Sequence, residues 1–242
     1  MESQKKIIRS LLLAAGFGTR LRPLTLKTPK CLIKIGDKPV LELWLEKLQK
    51  LGVKETLVNT HYLSDLVRDF LESKKFLNIK TYEIFEEKLL GTAGTLVENK
   101  DFFKNCIGLL IHADNFTLGD LSGLIEAHIN KPKDCILTML TFESKNPEKC
   151  GIVRIDDRHI VTEFHEKILN PPGNLANGAI YVFDDEFLKW LEVNAPNASD
   201  FSTEVLPKLM GKIFTWKIDS EFIDIGTLDS YQRAIDVFNS KN

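Results

Sequence analysis

Leu11–Lys30, LLLAAGFGTRLRPLTLKTPK, is an apolar run that breaks into a glycine turn and then into a cluster of cations. Leu11 to Ala15 read as the end of a buried strand. Gly16-Phe17-Gly18 closes it, and Thr19, Arg20, Arg22, Lys27 and Lys30 follow, with Pro23 and Pro29 blocking a regular helix between them. Glycine lets backbone approach a ligand closely, and successive N–H groups in such a turn form an anion-binding nest. Arg20 and Lys30 add a planar fork and a point charge, both suited to phosphate oxygens. The stretch therefore predicts a triphosphate site at the carboxyl end of a first strand. It is not a dinucleotide fingerprint, because Leu21 stands where the third glycine would be, and no G-K-[ST] closes it as a Walker A loop.

Outward from this stretch, strand and helix patterns alternate. Ile7–Ala15 reads as a strand and Pro39–Leu51 as a helix with Leu41, Trp44, Leu45 and Leu48 on one stripe and Gly52 as its stop. Glu55–Asn59 and Ile79–Phe85 read as strands, with a helix over Ser64–Glu72 between them. Residues 86–94, EEKLLGTAG, form a second glycine loop opening a short helix, and Ile107–Ile111 is a fully apolar strand running into His112-Ala113-Asp114-Asn115. This order predicts an α/β fold, doubly wound around a mostly parallel, mixed central sheet. Ligands of such sheets bind at strand carboxyl ends, where both glycine loops and Asp114 fall.

The second half predicts a helix over Asp120–Asn130 and strands at Cys135–Phe142, Gly151–Ile155, Ile160–Phe164, Ala176–Phe183 and Ile213–Ile218, with a closing helix at Leu228–Phe238. Three of these strands lie close together, which suggests an antiparallel or mixed region. No linker, low-complexity tract or repeat divides the chain. One domain over residues 1–242 is expected. Trp44, Trp190 and Trp216 are expected to fill core, and the five histidines share no metal-ligand spacing.

Composition narrows the partners. The 242 residues are 43% apolar and 27% charged, with a formal charge of −2. That balance lacks the basic footprint of a nucleic-acid binder, so the cations after Gly18 point to a small anionic ligand. Cys31, Cys106, Cys135 and Cys150 are widely spaced, which supports neither a zinc site nor a disulfide framework. Lys5, Lys6 and Arg9 before Leu11–Ala15 imitate a signal peptide, but the apolar run is short and Arg20 and Arg22 follow it. No stretch reaches membrane-spanning length. A cytoplasmic protein with no membrane or nucleic-acid partner is expected.

Asp114 and Asp224 each follow an apolar strand, where a carboxylate is costly unless paired or metal-bound. A helix cap or turn aspartate is the competing reading of each. Two carboxylates from distant segments suit Mg²⁺, which is usually completed by substrate phosphates.

Taken together, residues 16–25 with Thr28-Pro29-Lys30, 90–94 (LGTAG), 113–115 (ADN), 151–153 (GIV), 163–167 (EFHEK), 174–183 (NLANGAIYVF) and 222–227 (FIDIGT) resemble the sugar-1-phosphate nucleotidyltransferases. The look is nearest to mannose-1-phosphate guanylyltransferases and related small enzymes, and it spans nearly the whole chain. The resemblance implies that residues 1–130 mainly bind nucleotide and 131–242 mainly sugar phosphate. It implies that Leu13, Ala14, Ala15, Gly16, Gly18, Thr19, Glu86, Gly91 and Thr92 hold base and ribose. Arg20 and Lys30 would hold phosphates, Asp114 and Asp224 Mg²⁺, and Gly151, Glu166, Lys167 and Asn177 the sugar phosphate. Arg20, Lys30, Lys167 and Asp114 would be the catalytic set. Substrates would be a nucleoside triphosphate and a sugar 1-phosphate, and a homodimer is left open.

Glu86 or Glu87 stands about where the family's loop meets the base. A carboxylate can accept from guanine N1–H and N2–H₂ together, which favours GTP; UTP and CTP remain open. His112-Ala113 departs from the glycine that relatives often carry before the aspartate. The carboxy-terminal left-handed β-helix of many relatives is not expected here. A regulatory binding subunit would have lost the phosphate and metal residues, and a glycosyltransferase would show Asp-x-Asp where Asn115 and Phe116 follow Asp114.

Overall fold

The computed structural model describes residues 6–73 and 78–241; Lys5 of the basic amino-terminal cluster lies outside them. The strands are β1 (Ile8–Leu13), β2 (Lys34–Ile35), β3 (Lys38–Pro39), β4 (Glu55–Thr60), β5 (Lys80–Phe85), β6 (Ile107–His112), β7 (Asn115–Thr117), β8 (Leu137–Glu143), β9 (Gly151–Ile155), β10 (Val161–Glu166), β11 (Leu175–Phe183), β12 (Ile213–Lys217) and β13 (Phe222–Asp224). The α-helices are α1 (Val40–Lys50), α2 (Ser64–Ser73), α3 (Gly91–Glu98), α4 (Ser122–Ile129), α5 (Asp185–Asn194) and α6 (Leu228–Lys241). The class is mixed α/β, as the alternating pattern predicts. The chain divides into two compact units built from interleaved segments.

The first unit holds residues 8–89, 111–119 and 220–241. Here β1 pairs parallel with β4, and β4 pairs parallel with β5, with Leu11 opposite Leu57 and Leu57 opposite Tyr82. Leu11, Leu12 and Val58 are fully buried, the near-continuous apolar reading expected of a parallel strand covered on both faces. Helix α1 buries Leu41, Trp44, Leu45 and Leu48, the stripe read from the sequence, and stops before Gly52, whose φ of 81° suits glycine. Instead of a helix between Pro23 and Pro29, three single 3₁₀ turns cover Thr19–Leu21, Leu24–Leu26 and Lys30–Leu32. The short β7 and β13 pair antiparallel, and three residues apiece were too few for the sequence pattern to mark.

The second unit holds residues 6–7, 90–110 and 120–219. Its strands run in the order β10-β9-β11-β6, with β8 also on β11 and β12 on β8. The β10–β9, β11–β9 and β11–β8 pairs are antiparallel and β12–β8 is parallel, so the mixed region expected from the close strands is present. Its core is aromatic: the Phe183 ring sits 5.2 Å from Phe103 and 5.5 Å from Phe187, and Tyr181 lies 4.5 Å from Phe201. Helix α5, absent from the sequence reading, is capped by Asp184, whose side chain accepts from the Glu186 N–H. Trp44 is core as expected, whereas Trp190 and Trp216 are only half-buried. Trp190 stacks beside Phe187 and Trp216 lies over Gly123.

Gly108 is a close-approach glycine in β6, because a Cβ there would overlap the Phe183 ring. Gly108→Val should lower unfolding free energy by about 2 kcal/mol, the usual cost of overpacking. Urea denaturation measures it, and an unchanged midpoint would contradict this packing.

Candidate functional site

The predicted residues fall in both units. In the first, the ends of three parallel strands are tied together by side chains. The Ala14 N–H, just past β1, donates to Asn59 Oδ1 at 2.7 Å, and Asn59 Nδ2 donates to Glu86 Oε1 at 3.0 Å. Gly18 has φ 61°, and a Cβ on it would crowd Thr25. Its carbonyl accepts from the Leu21 N–H and from the Thr25 hydroxyl, folding the turn back on itself. Gly16 is exposed, with open space where a Cβ would be. The backbone of Leu13 accepts from the Ala113 N–H at 3.1 Å, so the alanine before Asp114 is spent inside the sheet and fully buried.

Antiparallel pairing of β13 with β7 sets Asp224 opposite Asn115, and the Ile225 N–H donates to the Asp114 carbonyl. The two aspartates, 110 residues apart in sequence, thereby become neighbours across a ribbon. Lys30 Nζ donates to Asp114 Oδ2 at 2.5 Å and lies 4.0 Å from Asp224 Oδ1. Arg20 reaches the same place, since a Cβ on Gly226 would come within 3.1 Å of its guanidinium and 3.3 Å of Asp224 Oδ1. Trp44 supports the ribbon from α1, its buried indole N–H donating to the Asn115 carbonyl at 2.8 Å.

Charge separates the two carboxyls. Burial alone would raise Asp114, but the Lys30 ammonium, with His112 and a backbone hydrogen bond, outweighs it and holds Asp114 below the usual carboxylate range. Asp224 moves the other way: packing around the carboxyl and the negative Asp114 beside it push it up, against the weaker pull of Lys30 and Arg20. Its side chain keeps 62% of its exposure, so repulsion by Asp114 is the cause that carries weight. Two oxygen-donor side chains crowded until they repel are the donor set that a hard divalent cation relieves, and Mg²⁺ needs only one or two of them beside phosphates. Asp114 and Asp224 therefore fit the ion that the family resemblance implies.

In the second unit, Gly91 (φ 83°) and Gly94 open α3 against the Ser199 backbone, whose carbonyl accepts from the Ala93 N–H at 2.9 Å. The Thr92 hydroxyl accepts from the Phe201 N–H at 2.8 Å and donates to Asp200 Oδ2 at 3.3 Å. Strand β10 extends past the predicted Phe164, and its last residue, Glu166, pairs with Gly151. A Cβ on Gly151 would run into the Glu166 carboxylate and the Phe164 ring. Lys167, at φ 51°, bends the chain, and its Nζ lies 2.9 Å from Glu166 Oε1.

Asn177 starts a register shift in β11: its Oδ1 accepts from the N–H of Ala179, itself at φ 51°, and its Nδ2 donates to the buried Tyr181 hydroxyl at 2.7 Å. Positive φ at Lys167 and Ala179, both non-glycine, is the kind of local strain that clusters at ligand sites. Gly151, Glu166 and Lys167 are thus brought together by the β9–β10 hairpin, while Asn177 lies one residue past Ala176, which pairs with Ile152 of β9.

The sequence reading missed Asn59, His61 and Phe17. His61 Nδ1 donates to the Glu86 carbonyl at 2.7 Å, and the Phe17 ring stands edge-on to His61 at 5.3 Å. The available signal was a polar triplet, Asn59-Thr60-His61, at the carboxyl end of a parallel strand. No group of three or more metal-ligating side chains occurs among the described residues, and no helix among them is long and apolar enough to cross a membrane.

Residues 9–240 match the family described as "Nucleotidyl transferase". The D-glycero-alpha-D-manno-heptose 1-phosphate guanylyltransferase of Campylobacter jejuni is 30% identical over 226 residues, 93% of this chain and 97% of that protein. The UTP–glucose-1-phosphate uridylyltransferase of Synechocystis is 27% identical over 244 residues, a match that covers 94% of this chain and 62% of that protein. Among solved structures, HddC from Yersinia pseudotuberculosis complexed with GMP-PN is similar with a TM-score of 0.79 and 25% identity, covering 95% of this chain and 99% of that one.

Lys30→Met should lower the unfolding free energy by about 1–3 kcal/mol, because it leaves Asp114 without its cation. Lys30→Arg should recover part of that loss. Equal stability of the methionine variant and wild type in guanidinium would show that the ion pair does not hold this ribbon.

Proposed function

The chain belongs to the nucleotidyl transferase family, and from that footing we propose that it joins a nucleoside triphosphate, GTP in preference, to a sugar 1-phosphate, yielding an NDP-sugar and pyrophosphate. The observation that carries the reading is the meeting of Arg20, Lys30, Asp114 and Asp224 within one unit that also holds the Gly16–Gly18 turn.

In this reading a phosphate oxygen of the sugar 1-phosphate forms a bond to the α-phosphorus as the bond to the β-bridging oxygen breaks. Pyrophosphate leaves with that electron pair. The attacking oxygen is already an anion, so no side chain need remove a proton, and catalysis reduces to positioning and charge neutralisation. Arg20 and Lys30 stabilise the charge that grows on pyrophosphate. Asp114 and Asp224 would hold Mg²⁺, which when bound supplies charge neutralisation between the two phosphates. Backbone from Leu13 to Thr19 holds base and ribose. Lys167 steers the sugar phosphate, with Glu166, Asn177 and Gly151 around the sugar.

Two considerations support GTP: the Glu86 carboxylate can take both guanine donors, and the Campylobacter relative is named a guanylyltransferase. That relative, matched over nearly its full length, also supports a manno-configured heptose or hexose 1-phosphate. The Synechocystis relative favours a second reading in which UTP is used.

Pyrophosphate release with each nucleoside triphosphate, Mg²⁺ and a panel of sugar 1-phosphates tests the proposal. GTP with a manno-configured sugar 1-phosphate should give the highest kcat/KM; no pyrophosphate with any pair sinks it. Lys167→Ala should raise KM for the sugar phosphate about tenfold or more, the worth of one charge-assisted contact, with little change for the triphosphate. An unchanged sugar-phosphate KM would remove Lys167 from its role.

A further inference from the structure

Three consecutive residues at the end of β4 each bond Glu86. Asn59 Nδ2 donates to its carboxylate at 3.0 Å, the Thr60 carbonyl accepts from its backbone N–H at 2.9 Å, and His61 Nδ1 lies 2.7 Å from its carbonyl. A carbonyl can only accept, so His61 must carry its proton on Nδ1. The orientation of the Asn59 amide is fixed in the same way. The Ala14 N–H can only donate, so Oδ1 faces it at 2.7 Å and Nδ2 is left to face Glu86.

Asn59 and Glu86 are each only 4% exposed, so water is a poor substitute for either partner. Phe17, inside the glycine turn, closes the arrangement by packing edge-on against His61 and 5.7 Å from Tyr62. Tyr62 in turn donates to the Thr25 carbonyl at 3.1 Å, and the Thr25 hydroxyl holds Gly18. One network thus couples the Gly16–Gly18 turn to Glu86, one of the two carboxylates offered as the reader of the base.

We infer that Asn59 is a specificity-determining positioning residue, which locks the Glu86 carboxylate in one orientation and ties it to the Ala14 backbone. The inference rests on the reading of Glu86 as the contact to the base edge. A carboxylate held in place and shielded from water discriminates strongly, because a base lacking the matching pair of donors leaves it unsatisfied. A carboxylate free to rotate would serve a single uracil N3–H almost as well as the guanine pair.

Asn59→Asp keeps the acceptor for Ala14 and replaces the donor to Glu86 with a second carboxylate, which repels it. Calorimetric titration of the full chain with GTP, UTP and inorganic tripolyphosphate, each with Mg²⁺, reads the result. Wild type should prefer GTP. The variant should lose about tenfold or more of the GTP-to-UTP affinity ratio, mainly through weaker GTP binding, while tripolyphosphate affinity stays within about twofold. A merely structural defect would weaken all three ligands together.

If Asn59→Asp does not fold, Asn59→Ala removes the tie to Glu86 while leaving the Glu86 carboxylate in place and adding no charge. It should fold and show the same loss of preference. A folded variant with the wild-type ratio overturns the inference, as does a wild type that binds GTP and UTP equally. Binding preference with no pyrophosphate release in the assay above would instead remove the proposed reaction and leave the role of Asn59 standing.

Discussion

The Lys30–Asp114 ion pair is the interaction on which the candidate site depends. It sits where β7 and β13 bring two carboxylates side by side, an arrangement that repels itself without a cation. Lys30 answers that repulsion unequally, at 2.5 Å from Asp114 and 4.0 Å from Asp224. Asp114 is therefore held below the usual carboxylate range, while Asp224 stays more exposed and is pushed up. A bound divalent cation would satisfy both. The lysine that would neutralise a triphosphate thus also keeps the ligand-free ribbon in shape.

Such double use recurs among the predicted residues of each unit taken by itself. Gly18 takes a left-handed φ while its carbonyl accepts from the Leu21 N–H and the Thr25 hydroxyl, which folds the turn on itself. Thr92 caps the backbone at Phe201, and Asn177 shapes the β11 register shift through Ala179 and Tyr181. These side chains fix the local backbone, and preorganisation of this kind would lower the entropy lost on binding. The site's polar residues are therefore also the fold's local supports, and replacing one would alter geometry as well as contact.

Much of this was legible in the residues. The apolar runs at Leu11–Ala15 and Ile107–Ile111 announced buried strands, and the stripe on α1 fell where its period placed it, because burial on one side enforces regular spacing. Asp114 and Asp224 could be suspected from their positions after apolar strands, yet nothing in either segment announced that they pair. That depends on three-residue strands whose pairing is long-range. Asn59 and His61 were passed over for a similar reason: their partners, Ala14 and Glu86, lie 45 and 25 residues away. Helix α5 went unread because its buried residues, Phe187, Leu188 and Leu191, make a short stripe inside a charged stretch.

We propose that Asp114 and Asp224 act together as one cation site completed by a triphosphate. Manganese is a paramagnetic stand-in for Mg²⁺, so electron paramagnetic resonance can count the ion bound in the presence of GTP. Asp114→Asn and Asp224→Asn should each weaken Mn²⁺ binding by about tenfold or more, the scale of a perturbed metal shell. The double variant should lose little beyond the weaker single. Wild-type Mn²⁺ affinity in both single variants would contradict it.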